Sequence, residues 1–160
     1  MRIGVLSDTH SKILPSVMIE DFKTVDLIIH AGDICTLDDL KVLQPLAKLE
    51  GVQGNMDDAG VKNMFPRKKI LRCGKKLIGV YHGEGPSKRV LDFVKKEFAD
   101  DKVDVVVFGH SHCPCQEKIN GVLYFNPGSP TDQVCAPYCS YGILDIEDDQ
   151  VTGRIIKIEE

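Results

Sequence analysis

The chain begins MRIGVLSDTH (residues 1–10), in which a short apolar run is followed at once by polar residues. Residues 3–6, IGVL, have the Ile, Val and Leu content of a buried strand. The sequence turns polar too early for the apolar segment of a secretory signal peptide. This stretch therefore predicts a buried strand whose carboxyl end presents Asp8 and His10.

The same arrangement recurs along the chain, because nearly every apolar strand candidate ends in a small cluster of Asp, His, Asn and Gly. These later clusters are HAGD at 30–33, GNMD at 54–57, HGEG at 82–85 and GHSH at 109–112. Strand ends on one edge of a layered α/β domain face a common crevice, so we expect the clusters to converge, with their glycines allowing close approach to a ligand. The candidate metal ligands are Asp8, His10, Asp33, Asn55, His82, His110 and His112.

Carboxylates and imidazoles, together with an amide oxygen, are ligands for divalent transition ions such as Mn, Fe, Co, Ni or Zn. Seven ligands suit two ions that share one bridging carboxylate. Asp8 and His10 stand at i and i+2, so an extended backbone would point both to the same side, and His110 and His112 repeat that spacing. His30 lies within a strand candidate and is interpreted as structural support for the site.

Composition limits the classes of function. The chain has 160 residues, enough for one domain that we expect to span residues 1–160. A net charge of -4 disfavours general nucleic-acid binding, which needs many Lys and Arg contacts to phosphate. No stretch reaches the ~18 apolar residues of a membrane span, so we expect no membrane partner and a cytoplasmic location.

Residues 62–76 are a local exception in charge, with seven Lys or Arg and no acid. The simpler interpretation is an edge strand protected by lysines. A surface for a phosphate-bearing or acidic partner is the alternative.

Strand and helix alternate in the first half of the chain, and the second half is mostly strand. The pattern predicts an α/β domain in which two sheets pack face to face with helices outside. Pro45 implies a kink in the helix predicted at 36–50. The predicted helices are 14–22, 36–50 and 87–98, and the predicted strands are 3–6, 25–33, 51–58, 69–72, 76–82, 103–110, 116–119, 122–125, 141–146 and 151–158.

Five short motifs carry a resemblance to a known family. They are DTH at 8–10, GD at 32–33, GNMD at 54–57, HG at 82–83 and GHSH at 109–112. In this order they resemble the five motifs of the calcineurin-like metallophosphoesterases. The NPGS segment that follows Phe125 is similar to the small branch that includes YfcE-type phosphodiesterases and the retromer subunit Vps29. The resemblance implies a four-layer αββα sandwich of two mixed β-sheets flanked by helices.

The resemblance also implies a dinuclear centre, at which a metal-bridging hydroxide attacks the phosphorus of a small phosphodiester or phosphoester. Two divalent transition metal ions are expected, manganese first, with Ni, Fe, Co or Zn as alternatives. His10, Asp33 and Asn55 are the predicted catalytic residues. The implied ligands are Asp8, His10, Asp33 and His112 for the first metal and, with Asp33 as the bridge, Asn55, His82 and His110 for the second.

Two residues depart from the family pattern. Many members have a His general acid where this chain has Met56, which cannot give up a proton. The departure predicts slower turnover or leaving groups that need little protonation, since a positioned acid contributes ~10²–10⁴-fold. Glu84 replaces a His that branch members often have, and it would repel an anionic phosphate unless it is protonated or paired with a metal. Lys88 or Arg89 could offset its charge, although solvent exposure of these two residues is the stronger expectation. Asp57 is expected to orient a neighbouring ligand, His10 or Asn55.

Other functions remain open at this stage. The chain could be a phosphomonoesterase, or a non-catalytic scaffold of the kind that Vps29 is generally regarded as. It could also be regulated by zinc or by oxidation through Cys113, Cys115, Cys135 and Cys139, although isolated cysteines are the default interpretation. A homodimer is plausible for a small sandwich with exposed strands.

Overall fold

The computed structural model describes residues 1–159 and contains two five-stranded sheets that pack face to face. In the first sheet the central strand pairs in parallel with one neighbour and antiparallel with the other. In order across it, the strands are β10 (Gln150–Lys157), β9 (Ser140–Glu147), β1 (Arg2–Leu6), β2 (Leu27–His30) and β3 (Lys48–Gly51). Those of the second sheet are β4 (Lys68–Cys73), β5 (Lys76–Tyr81), β6 (Val105–Val107), β8 (Val122–Asn126) and β7 (Cys115–Ile119).

The core between the sheets is built from the inward-facing residues of the central strands. Ile3 and Val5 of β1 face inward and pack in one cluster with Val80 of β5 and Val105 and Val107 of β6. Because side chains alternate along a strand, the residues between them face the outer layers. The β-branched content of these runs therefore fits strands that are covered on both faces.

Helices cover both outer faces. In α1 (Ser16–Phe22), Met18 and Phe22 pack on the first sheet, and in α3 (Val90–Glu97), Val90 and Val94 pack on the second. A shorter helix, α2 (Ala59–Met64), is capped by the Asp58 carboxylate, which accepts a hydrogen bond from Val61 N–H. No helix within residues 1–159 has the length and apolar character needed to cross a membrane.

The predicted sandwich and its two hairpins, β4–β5 and β7–β8, are confirmed. The predicted helix at 36–50 is wrong. A 3₁₀ helix at Leu37–Val42 is followed by turns that contain Pro45 and then by β3, which pairs in parallel with β2. Proline removes a helical N–H, and burying an edge of the sheet outweighs local helix propensity. The strand predicted at 51–58 accordingly ends at Gly51, and α2 was not predicted.

Candidate metal centre

The seven candidate ligands follow β1, β2, β3, β5 and β6 along the chain. These strands run parallel within their sheets. Their carboxyl ends meet at one edge of the sandwich, where the structure brings all seven side chains into one connected cluster. Loops that start at five different strands therefore build a single site.

Asp8 lies at the middle of the cluster and is fully buried. Its Oδ2 accepts a hydrogen bond of 3.0 Å from the backbone N–H of His110, whereas its Oδ1 has no hydrogen-bond partner. Three imidazole Nε2 atoms surround Oδ1, from His112 at 3.3 Å, His82 at 3.8 Å and His10 at 3.9 Å. A buried carboxylate oxygen without a partner is costly, so this donor set fits a bound cation.

Asp33 lies between the two sides of the cluster. Its Oδ2 is 3.7 Å from His10 Nε2 and 3.3 Å from His82 Nε2, and its Oδ1 accepts a hydrogen bond from Met56 N–H at 2.7 Å. Burial raises the pKa of Asp33, but the contact with the His82 imidazole and the hydrogen bond from Met56 N–H outweigh burial, and the pKa is lowered overall. Asp33 is therefore ionised and faces imidazoles on both sides.

The remaining contacts divide the cluster into two positions. At the first position, the Nε2 atoms of His10 and His112 approach each other to 3.2 Å beside Asp8. At the second position, the side-chain oxygen of Asn55 lies 3.1 Å from His82 Nε2 and 3.0 Å from His110 Nδ1. Asp33 separates the two positions.

Backbone carbonyls orient both imidazoles of the second position. His82 Nδ1 lies 2.7 Å from the carbonyl oxygen of Ala31, and His110 Nε2 lies 3.0 Å from that of Gly85. A carbonyl only accepts, so these nitrogens carry the hydrogen. The opposite nitrogen of each ring is left with a lone pair that faces the second position, as metal ligation requires.

Asp132 orients His112 at the first position and was not predicted from the sequence. Its Oδ2 lies 2.5 Å from His112 Nδ1, and its Oδ1 accepts hydrogen bonds from the N–H groups of Val134 and Cys135. The contacts of its imidazole with the carboxylates of Asp8 and Asp132 raise the pKa of His112 to about 9. Asp132 lies in a loop with no motif, twenty residues after His112, so no sequence pattern pointed to it.

Five of the seven candidate ligands have a backbone φ in the left-handed region. The extended geometry predicted for the Asp8–His10 and His110–His112 pairs is therefore wrong. A non-glycine residue in this region costs on the order of 1–3 kcal/mol and persists where surrounding structure holds it. The φ values are 57° for Asp8, 49° for His10, 56° for Asp33, 67° for His110 and 56° for His112.

Buried polar groups hold these turns in place. Asp57 accepts hydrogen bonds from the N–H groups of Cys35 at 2.7 Å and Gly54 at 2.6 Å. Asp57 therefore acts on the backbone, including that of the residue directly before Asn55, and its orienting role remains a prediction. Ser129 Oγ donates to the carbonyl of Asp8, so the NPGS segment also fixes a ligand turn.

His30 supports the site without contacting its ligand side chains. Its Nδ1 accepts a hydrogen bond from Gly32 N–H and its Nε2 lies 3.1 Å from Thr9 Oγ1. Complete burial lowers the pKa of His30 to about 3, so the ring is neutral at physiological pH. This placement agrees with the structural role expected from the sequence.

Glycines allow the closest approaches in the cluster. A Cβ atom at Gly54 would overlap the backbone and carboxylate of Asp33, and one at Gly109 would lie 2.7 Å from Asp8 Oδ2. Any side chain at either position would displace a candidate ligand.

The two departures from the family pattern lie on the rim. Met56 is 59% exposed. Glu84 lies 3.6 Å from a guanidinium nitrogen of Arg67, whereas Arg89 pairs with Asp92. The cation that offsets Glu84 is thus Arg67, which directly precedes β4. Lys88 and Arg89 are exposed, in agreement with the stronger expectation from the sequence.

In the part of the chain that the structure describes, the cysteines form no metal site of their own. Groups of three or more His, Cys, Asp or Glu that could hold an ion contain no cysteine there, and residues 1–159 contain no disulfide. Cys139 Sγ contacts the carbonyl of Asp132, and burial raises the pKa of the Cys115 thiol to about 11. Nothing in the described residues supports a zinc site built from the cysteines.

Comparison with known proteins identifies the family. Residues 1–149 match the model of the calcineurin-like phosphoesterase superfamily domain. The chain belongs to this superfamily. A probable metallophosphoesterase of Methanocaldococcus jannaschii is 40% identical over 168 aligned residues, which cover 100% of this chain and 83% of that protein.

Solved structures share the fold. One described as a novel archaeal phosphodiesterase is 26% identical, with a TM-score of 0.75, and the match covers 98% of this chain and 100% of that one. Vps29 of Chaetomium thermophilum has a TM-score of 0.81 at 18% identity, covering 99% and 97% of the two chains, and shows the fold alone. The family is metal-dependent, and two groups of residues here could hold a metal ion.

Proposed function

We propose that this chain is a phosphodiesterase that depends on two divalent transition-metal ions. The observation that carries the proposal is the buried Oδ1 of Asp8, which has no hydrogen-bond partner and is surrounded by three imidazole nitrogens. A scaffold protein has no physical need for such a costly arrangement. The relative described as an archaeal phosphodiesterase supports a phosphodiester, rather than a phosphomonoester, as the substrate.

Asp33 is the proposed bridge, because its Oδ2 faces an imidazole of each position. Carboxylate and imidazole ligands suit manganese, and Ni, Fe, Co and Zn accept the same ligands. When bound, the two ions would lower the pKa of a water molecule and stabilise negative charge on the phosphoryl oxygens. The proposed ligands are Asp8, His10, Asp33 and His112 for the first position and Asp33, Asn55, His82 and His110 for the second.

The protein itself orients these ligands and limits the leaving group. Hydrogen bonds to Ala31, Gly85 and Asp132 fix which imidazole nitrogen carries the hydrogen. Exposed Met56 offers no proton on the rim, so leaving groups of low pKa should be preferred. His10, Asp33 and Asn55 remain the proposed catalytic residues.

The test uses chelator-treated protein assayed with bis-p-nitrophenyl phosphate and p-nitrophenyl phosphate after addition of Mn, Ni or Zn. We expect activity only with metal, and faster hydrolysis of the diester than of the monoester. Full activity without metal, or none with any metal, contradicts the proposal. A faster monoester reaction would favour a phosphomonoesterase.

Asp33→Asn removes the charge shared by both positions. Since metal charge stabilisation amounts to several kcal/mol, we expect activity to fall ~10³-fold or more and both metal equivalents to weaken in a titration. Asp104→Asn is the matched control, because Asp104 accepts the Leu77 N–H in another region of the molecule. Unchanged activity in Asp33→Asn would exclude Asp33 as the bridge.

A protein-interaction scaffold is the second candidate. Ile13 and Val134 are 94% and 87% exposed, so a partner that covered them would bury apolar surface. Metal-dependent turnover distinguishes the two candidates, because a scaffold would bind metal without hydrolysing either ester.

A further inference from the structure

The basic stretch 62–76 divides into two groups in the folded protein. Four of its lysines face acids: Lys68 with Asp101 at 2.6 Å, Lys69 with Glu50 at 2.5 Å, Lys75 with Asp149 at 3.7 Å and Lys76 with Asp104 at 3.3 Å. These four fit the simpler interpretation of a protected edge strand, since three of them lie in β4 and β5. Arg72 also lies in β4, whereas Lys62 and Arg67 form the other group because they line one pocket.

Arg67 contacts Tyr81 beside the candidate centre. Its guanidinium lies 5.0 Å from the centre of the Tyr81 ring and donates a hydrogen bond of 2.8 Å to the Tyr81 hydroxyl. Glu84 and Glu97 lie 3.6 and 3.7 Å away, beyond ordinary hydrogen-bond distance. N–H groups of the Arg67 guanidinium therefore remain available as hydrogen-bond donors to an oxyanion.

Lys62 and Arg67 line a pocket of about 260 Å³ that opens onto the second position, where Asn55 and His82 form part of its wall. Among the described residues, the Lys62 ammonium has no acidic partner within 4 Å, and Glu84 contributes the pocket's one acid. Among the residues that line the pocket, two cations face one carboxylate, and Glu97, 3.7 Å from Arg67, lies outside this lining. Whole small-molecule sites span ≈ 300–1,000 Å³, so this volume suits one substituent of a larger substrate.

We propose that this cationic pocket binds a second phosphate of the substrate while the scissile phosphate lies at the metal centre. The substrate class is a phosphodiester that carries a further phosphate group, such as a terminally phosphorylated dinucleotide. The inference rests on the proposed function, because it places the scissile group at the metal centre. Arg67 supplies directed hydrogen bonds and Lys62 supplies a mobile point charge.

The test compares thymidine 5′-phosphate with thymidine 3′,5′-bisphosphate in calorimetric titrations of the manganese-loaded protein. The bisphosphate is expected to bind ~10-fold more tightly, because charge-assisted hydrogen bonds are stronger than those between neutral groups. In Lys62→Gln the preference should fall to less than ~3-fold. Lys75→Gln, from the same basic stretch but remote from the pocket, should retain it.

Hydrolysis of the dinucleotides TpT, pTpT and TpTp gives an independent measurement. We expect a higher kcat/KM for one of the phosphorylated forms, and the favoured form identifies which end lies in the pocket. Equal affinities for the two thymidine phosphates, or a preference unchanged in Lys62→Gln, overturn the inference. Failure of the proposed function is a separate outcome, seen as an absence of hydrolysis of every ester.

Discussion

The two positions of the candidate centre are oriented by different kinds of group. At the first position, His112 is held by the carboxylate of Asp132, and His10 Nδ1 lies 3.8 Å from the thiol of Cys35. At the second position, His82 and His110 are both held by backbone carbonyls. The first position therefore depends on side chains from two loops, and the second depends on the backbone path itself.

This difference determines how each position can be changed. A carboxylate partner adds negative charge behind an imidazole and makes it a more basic ligand; at His112, Asp132 adds to a rise in pKa of which Asp8 is the larger cause. A carbonyl partner fixes the tautomer with less change in basicity. A side-chain substitution behind His112 can thus weaken the first position selectively, whereas the carbonyl groups behind His82 and His110 can be moved only by changing the backbone.

Asp132→Asn should produce the largest selective effect. The side-chain oxygen can still accept from Val134 and Cys135, but an amide NH₂ would face His112 Nδ1 and favour the tautomer whose Nε2 cannot ligate. We expect metal affinity at the first position to fall ~10–100-fold, with the second unchanged, in calorimetric titration with Mn. Asp104→Asn serves as the control. Equal loss at both positions would contradict the proposed division.

Gly85→Ala tests the second position through its backbone. Gly85 has φ +82°, and a Cβ there would lie 2.5 Å from the Phe93 ring, so its carbonyl should move away from His110. Left-handed alanine costs about 1–2 kcal/mol, and we expect up to ~10-fold weaker metal binding at the second position alone. Gly121→Ala is matched in φ, at +84°, but has open space around it and should leave metal affinity unchanged.

The smallest effect concerns His30, which supports turns of both positions through Thr9 and Gly32. Its pKa is lowered from 6.5 to about 3, so below pH 6.5 the unfolded chain binds a proton that the folded protein does not. Stability should therefore decrease as pH falls from 7 to 5.5, by about 1 kcal/mol from this group.

In His30→Gln this contribution is absent. Urea unfolding of both metal-free proteins at the two pH values isolates it, since all other titrating groups are shared. Parallel pH dependence of the free energy of unfolding in the two proteins would show that His30 is not buried in its neutral form.

The sequence determined the fold class and the candidate ligand set. Val- and Ile-rich runs such as 3–6 can be buried on both faces only inside a layered domain, and polar residues directly after them must lie at strand ends. Whether a residue directly follows a strand can be predicted from the neighbouring residues in the sequence. All seven candidate ligands could accordingly be named before their contacts were known.

Only the tertiary structure decided how those residues are held. The left-handed turns, the Asp132 support of His112 and the pairing of Glu84 with Arg67 all join segments far apart in the chain. Likewise, residues 48–51 form a strand because β2 offers an edge to pair with, although their local pattern favoured a helix. Contacts between distant segments depend on packing and hydrogen bonds formed after the sheets assemble, and no local period or motif encodes them.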